Sequence, residues 1–261
     1  SNKMRPFPFL LLLLVCGCSS DSLSPKLNFI FTTEVFDSSI IGDSYQLDIY
    51  LPADYDGLQN YPVIFLLDGN WYFEDFTGEL IELVENSSIP SSILVSIGYL
   101  SEPEEKRFRD YTFPVDRDYD IQNGQANLFN QFLEQELIPK IKTDYATDTT
   151  RYVLMGHSLG GFNTLYNLFQ ATSSFNGFVA VSASIWWSDA YLFSLEETLV
   201  ENESQANTKI HISVGGDEPP SMTILNEEMI ERLQNNSVRS FSVESQIFEG
   251  ASHSQVAIAG F

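Results

Sequence analysis

Basic residues are scarce in this chain: 13 lysines and arginines stand against 36 aspartates and glutamates, for a net charge of −23. Such a surface repels a phosphate backbone, and no basic stripe offsets it, so nucleic acid is excluded as a partner. Cysteine is scarcer still. The two that occur, Cys16 and Cys18, lie near the N-terminus, which leaves the body of the chain without a disulfide or a thiolate metal cluster. Histidine occurs only at 157, 211 and 253, with no pair at the H-x-x-x-H spacing of a helical metal site. The sequence therefore predicts no metal and no cofactor. Long apolar runs are missing as well, because the stretch Phe7–Val15 is too short to cross a bilayer.

That short stretch reads instead as part of an address. Lys3 and Arg5 form a positive segment before it, and Val15-Cys16-Gly17-Cys18 after it resembles a bacterial lipobox. The expectation is a leader over residues 1–18 ending at Cys18 as the lipidated residue, a polar tether over 19–26, and one domain over 27–261. The lipid on Cys18 would make the membrane a partner and place the protein in a bacterial cell envelope, at the periplasmic face or the cell surface. A content of 43% hydrophobic and 13% aromatic residues fits a single globular domain, and no repeat or long linker divides it.

The chemistry begins at Gly156-His157-Ser158-Leu159-Gly160, between the apolar run Tyr152–Met155 and a helical pattern. A G-x-S-x-G string with a strand before it and a helix after it is a nucleophile elbow, in which a strained turn exposes the serine hydroxyl above a sheet. Glycines at both flanks let strand and helix approach closely. The helix that starts near Leu159 aims free N–H groups at the place where an oxyanion would form, so Leu159 is a candidate donor.

Serine needs a base. His157 sits inside the elbow and cannot turn back on its neighbour, and His211 lies in the strand-like Lys209–Val214, where a buried sheet position is the simpler role. His253 remains, in a loop after the strand-like Phe241–Phe248, where the order serine, acid, histidine puts the base. The acid belongs between them. Gly215-Gly216-Asp217-Glu218 follows a strand and offers two adjacent carboxylates, either of which could orient the imidazole.

Strand patterns at Leu27–Phe36, Tyr45–Tyr50, Val63–Leu67, Ile93–Gly98, Tyr152–Met155, Phe178–Ser182, Ile210–Val214 and Val243–Phe248 alternate with helical patterns at Phe76–Glu85, Leu128–Tyr145, Phe162–Ala171 and Ile224–Gln234. This order predicts an α/β fold with a mostly parallel central sheet and helices on both faces. Pro139 predicts a kink in its helix. Ser101–Gln125, which carries Lys106, Arg107, Arg109 and Arg117, reads as a charged loop.

Between Tyr45 and His253 the chain resembles the putative-esterase family of α/β-hydrolases, which includes esterase D, feruloyl esterase, enterochelin esterase and antigen 85 branches. The resemblance rests on Pro62-Val63-Ile64-Phe65-Leu66-Leu67-Asp68-Gly69, on Phe132–Pro139, on the elbow through Gly161, on Ser182-Ala183-Ser184-Ile185-Trp186-Trp187 and on Ser213–Glu218. It implies the α/β-hydrolase fold and ester hydrolysis. By the family's spacing it selects Glu218 as the acid, with Asp217 as the alternative, and it implies the N–H of Asn70 as second oxyanion donor with Trp71 close by. Trp186 and Trp187 join Trp71 as candidate substrate contacts, since the Ser-x-Ser-x-Trp-Trp element resembles the siderophore-esterase branch. Ala183 departs from the pattern with little chemical meaning. Only eight residues follow His253, where these folds usually carry another helix, so the chain reads as ending short. Charge favours an acyl group on a carbohydrate as the substrate, and the tryptophan pair favours a siderophore lactone. The family also includes acyltransferases, and a silent glycan-binding module on the same fold is the rival from another class.

Overall fold

Odd and even residues of each central strand feed two different cores. On β3 (Tyr61–Leu66), Val63 and Phe65 join one apolar cluster while Ile64 and Leu66 join the other. On β4 (Ile93–Tyr99), Ile93, Val95 and Ile97 oppose Leu94, and on β5 (Thr147–His157), Tyr152 and Leu154 oppose Met155. Strands apolar on both faces demand cover on both faces. The computed structural model describes residues 31–198, 208–236 and 242–261, so the predicted leader, lipidation site, tether and the start of the first predicted strand lie outside the described residues.

The remaining strands are β1 (Phe31–Ser38), β2 (Asp43–Tyr50), β6 (Gly177–Val181), β7 (Lys209–Gly215) and β8 (Ser242–Phe248). All pair in one sheet of order β1-β2-β4-β3-β5-β6-β7-β8, antiparallel at β1–β2 and β2–β4 and parallel elsewhere. Helix α1 (Gly69–Glu85) covers one face with Phe73, Phe76 and Leu80, and the four-residue α8 (Val256–Ala259) packs beside it. The other face is covered by α3 (Ala126–Phe132), α4 (Ile138–Asp144), α5 (Leu159–Leu168) and α7 (Pro220–Asn235). The connection from β3 runs to β4 on one side and that from β5 to β6 on the other. At this reversal the carboxyl ends of β3 and β5 leave a crevice, the usual place for a ligand in such sheets.

Three elements differ from the sequence expectation. Ser101–Gln125 is no mere loop, since Pro103–Tyr111 forms α2, with proline in its first turn, Glu104 and Glu105 at its positive end and Arg109 at its negative end. A second unforeseen helix, α6 (Trp187–Glu197), contains three consecutive left-handed residues, Ser188, Asp189 and Ala190. In place of a simple kink at Pro139, a π turn at Leu133–Leu137 separates α3 from α4. Pro139 has no N–H for the carbonyl of Gln135 and its ring crowds that oxygen, so a widened turn just before it takes up the misfit.

Candidate active site

β5 ends at His157 and α5 begins at Leu159, so Ser158 alone makes the turn, at φ 60° and ψ −115°. Few non-glycine residues sit there, and the backbone bonds around Ser158 show what holds it. Its N–H donates to the Val181 carbonyl (2.9 Å), and its own carbonyl accepts from Phe162 (2.9 Å) and Ser184 (3.0 Å). A Cβ on Gly156 would be driven into the backbone of Gly160, so the close approach of strand and helix requires glycine there. The Ser158 hydroxyl lies 3.3 Å from that of Ser184.

His253 follows β8, and its Nδ1 lies 2.6 Å from Oε2 of Glu218, which stands beyond the end of β7. The Glu218 side chain is fully buried, whereas that of His253 is 39% exposed, so the acid is shielded and the imidazole faces outward. The other carboxylate oxygen of Glu218 accepts the Gly215 N–H (2.8 Å) and the hydroxyl of Ser182. Ser182 is held at a positive φ of 44° at the end of β6. Asp217 points to solvent, and its N–H donates to the Ala251 carbonyl (3.1 Å). Of the two adjacent carboxylates, only Glu218 meets the histidine.

Ser158 and His253 line one cavity of 340 Å³ together with Trp71, Tyr72, Glu104 and Arg107. No Ser158–His253 hydrogen bond occurs among the described residues, and such pairs often tighten only around substrate. Leu159 opens α5 beside the serine. Asn70 follows Asp68, a left-handed residue at φ 59°, into the first turn of α1. The N–H groups of Trp71 and Tyr72 are taken by the Asp68 carbonyl (3.0 and 3.3 Å), but those of Asn70 and Leu159 have no partner among the described residues. The Asn70 side chain is clamped to Tyr99, accepting its N–H at 2.6 Å and donating to its carbonyl at 2.8 Å.

Residues 38–259 match the family described as Putative esterase. The chain belongs to this esterase family. Over 234 residues it is 30% identical to the ferri-bacillibactin esterase BesA of Bacillus subtilis, covering 82% of this chain and 80% of that one. It is 28% identical to an apo-salmochelin esterase of Escherichia coli, over 59% of this chain and 51% of that one. The BES protein of Bacillus cereus superposes with a TM-score of 0.82 at 29% identity, over 88% of this chain and 90% of that one. An IroE-like serine hydrolase of Shewanella oneidensis gives a TM-score of 0.78 at 24% identity, over 88% of this chain and 77% of that one. The protein is a serine esterase with the α/β-hydrolase fold.

The charges around the esterase cavity are largely spent on one another. Arg107 donates from Nε and Nη2 to the two oxygens of the fully buried Asp68 (3.0 and 2.7 Å) and lies over the ring of Trp71 at 5.5 Å. Burial pushes the Asp68 carboxyl up and the guanidinium pulls it down, which makes each charge dependent on the other. Lys106 and Arg109 both pair with Asp43 (3.0 and 2.8 Å), and Arg109 also holds the buried Asp110 at 2.6 Å. Arg117 is exposed and is not among the residues lining the cavity.

One of the aromatic candidates is corrected. Trp187 is wholly buried, donates its Nε1–H to the Pro114 carbonyl at 3.1 Å and stacks on Tyr119 at 4.9 Å, so it is a core residue that no substrate can touch. Trp186 is half-buried, tilted against Trp187 and Tyr119 at 6.1 and 6.4 Å, and is not among the residues lining the cavity of Ser158 and His253. Trp71, 38% exposed, does line it. His211 occupies β7 and a separate groove of 1050 Å³ that contains neither Ser158 nor His253.

His157 was passed over by sequence reasoning, yet it is buried beside Ser158 and His253 and lines the same cavity. Desolvation first, and then the neighbouring His253, lower its pKa from 6.5 to about 3. Because the unfolded chain takes up this proton near pH 6.5 and the folded one does not, the native state loses stability as pH falls from 6.5 toward 3. At pH 4.5 the loss is about 2–3 kcal/mol. In His157→Gln, urea unfolding between pH 7 and pH 4.5 should show a pH dependence shallower by that amount. An unchanged slope would mean that His157 protonates in the folded state.

Proposed function

We propose that this esterase hydrolyses the ester bonds of a siderophore at a bacterial cell envelope. The observation that carries the reading is the recurrence of siderophore esterases among the relatives, joined to Ser158 and His253 on one cavity with Glu218 buried behind the histidine. Charge alone had favoured an acylated carbohydrate, and the relatives weigh toward the siderophore lactone instead.

In this reading Ser158 Oγ attacks the ester carbonyl carbon while His253 Nε2 takes its proton. Glu218 accepts the Nδ1–H and so fixes the tautomer that leaves Nε2 free. The N–H groups of Leu159 and Asn70 hold the oxyanion. His253 then protonates the leaving alcohol, and water delivered through the same base releases the acid from Ser158.

Among the described residues the cavity offers one cation, Arg107, to an anionic ligand, and Asp68 already neutralises it while Glu104 also lines the cavity. A tris-anionic ferric siderophore meets little attraction there, whereas the metal-free form meets no repulsion. Turnover of bacillibactin and enterobactin, each with and without ferric ion, should therefore be compared with turnover of feruloylated and acetylated glycans. We expect metal-free siderophore to exceed every glycan ester by about tenfold or more in kcat/KM, a barrier difference of ~1.4 kcal/mol. Turnover confined to glycan esters would restore the carbohydrate reading. Glycan binding with no turnover of any ester would favour the silent binding module.

The envelope assignment rests on the leader and Cys18. An acyl chain there contributes ~0.8 kcal/mol per buried methylene, and no helix among the described residues is long and apolar enough to cross a membrane. Expressed with its leader, the protein should enter the detergent phase, and Cys18→Ser should abolish that partitioning. An unmodified Cys18 by mass spectrometry in a bacterial host with the lipoprotein pathway would end the idea.

A further inference from the structure

The residue before the nucleophile has a hydrogen bond at each ring nitrogen. His157 Nε2 lies 3.0 Å from the backbone carbonyl of His253, and Nδ1 lies 2.9 Å from the hydroxyl of Tyr72. A carbonyl can only accept, so Nε2 carries the proton. Nδ1 of the neutral ring is then the acceptor, and Tyr72 donates to it. With His157 at 4% exposure, both polar atoms are satisfied and the tautomer is fixed by its partners.

Those partners belong to the parts of the site that must be held relative to Ser158. Tyr72 sits in the first turns of α1, just past the Asp68–Asn70 turn. His253 sits on a short turn that the Asp217 N–H ties to the end of β7 through the Ala251 carbonyl (3.1 Å), two residues before the histidine, while bonds such as Ala251 to Phe248 (3.0 Å) and Val256 to Ser252 (3.1 Å) are local. Glu218 grips the imidazole at Nδ1, but a ring tethered at one point can still swing about that contact. The carbonyl held by His157 supplies a second point, and the two imidazoles lie with centroids 4.4 Å apart at 40°. We propose that His157, oriented by Tyr72, is a positioning residue that fixes the main chain of His253 so that its Nε2 stays on the line to Ser158 Oγ. The pairing also suits the reaction. When His253 becomes an imidazolium, a neutral His157 places no like charge beside it, and its low pKa keeps it neutral across the working range.

The inference rests on the reading of Ser158 as nucleophile and His253 as base, and the test separates the two. His157→Leu keeps much of the volume and removes the donor, whereas His157→Gln places an amide N–H near the position of Nε2–H. Each is compared with the parent, Ser158→Ala and His253→Ala for hydrolysis of a short p-nitrophenyl ester and for the rate of serine labelling by a fluorophosphonate. Labelling needs the nucleophile and base but little of the acyl pocket. A displaced base should lower kcat by ~10- to 100-fold in His157→Leu, with KM within about threefold and labelling slowed in parallel. His157→Gln should recover most of both rates. If His157→Leu fails to fold, Tyr72→Phe, which loses only the orienting hydroxyl, should still lower kcat and labelling by about 3- to 10-fold at unchanged KM. Parental kcat and labelling in a folded His157→Leu, or in Tyr72→Phe where that variant carries the test, would overturn the positioning role. So would a loss that glutamine does not recover. Full activity in Ser158→Ala or His253→Ala would instead overturn the reading beneath it.

Discussion

Ser158→Ala should lose about six orders of magnitude in kcat on a short p-nitrophenyl ester, a barrier increase of ~8 kcal/mol. The expectation follows from position as much as from residue type. Ser158 is the one residue between β5 and α5, its main chain is pinned by three hydrogen bonds, and its hydroxyl shares a cavity with the histidine that Glu218 orients. The same structure says that stability should hardly change. The hydroxyl has one described partner, Ser184 at 3.3 Å, and alanine at φ 60° bears the same backbone strain as serine. A thermal midpoint near the parental value with hydrolysis abolished is the expected pair of results. A folded Ser158→Ala that hydrolyses at the parental rate would remove the serine from the mechanism.

Much of the fold was legible because the six inner strands, β2 to β7, are largely buried and carry their own apolar residues, whereas β1 and β8 at the sheet edges are mostly exposed. Val63–Leu67 or Ile210–Val214 cannot be stable unless covered on both faces, whatever surrounds them. What escaped was structure held by polar or distant contacts. The inward residues of α2 include Arg107 and Asp110, buried by ion pairs with Asp68 and Arg109, so the apolar period that reveals a helix is missing from Pro103–Tyr111. In α6 the left-handed turn at Ser188–Ala190 interrupts the period in the same way. Trp187 was taken for a binding surface because a tryptophan in a motif looks the same whether it meets a ligand or the core. Its partners, Pro114 and Tyr119, come from another segment. The two contacts that make sense of His157 lie 85 and 96 residues away, beyond any local pattern. Only the capping signals at Pro103, Glu104 and Glu105 were there to be read.

The acid was the assignment the local sequence left open, and geometry now gives it the sharpest prediction. Glu218→Gln should lower kcat by about 10⁴, because an amide at Oε2 can present its NH₂ to His253 Nδ1 and so favour the tautomer whose Nε2 carries the proton and cannot accept that of Ser158. The buried shell makes the error hard to avoid. Oε1 accepts from both the Gly215 N–H and the Ser182 hydroxyl, so the glutamine carbonyl is drawn to that side and its amide nitrogen is left facing the imidazole. Asp217→Asn, at an exposed side chain turned away from His253, should change kcat by less than about tenfold. Steady-state kinetics on both variants, with circular dichroism to show that each is folded, decides the matter. The reverse ranking would transfer the role to Asp217. Small effects from both would mean that Ser158 and His253 work as a dyad, with the 2.6 Å contact to Glu218 serving only to hold the loop.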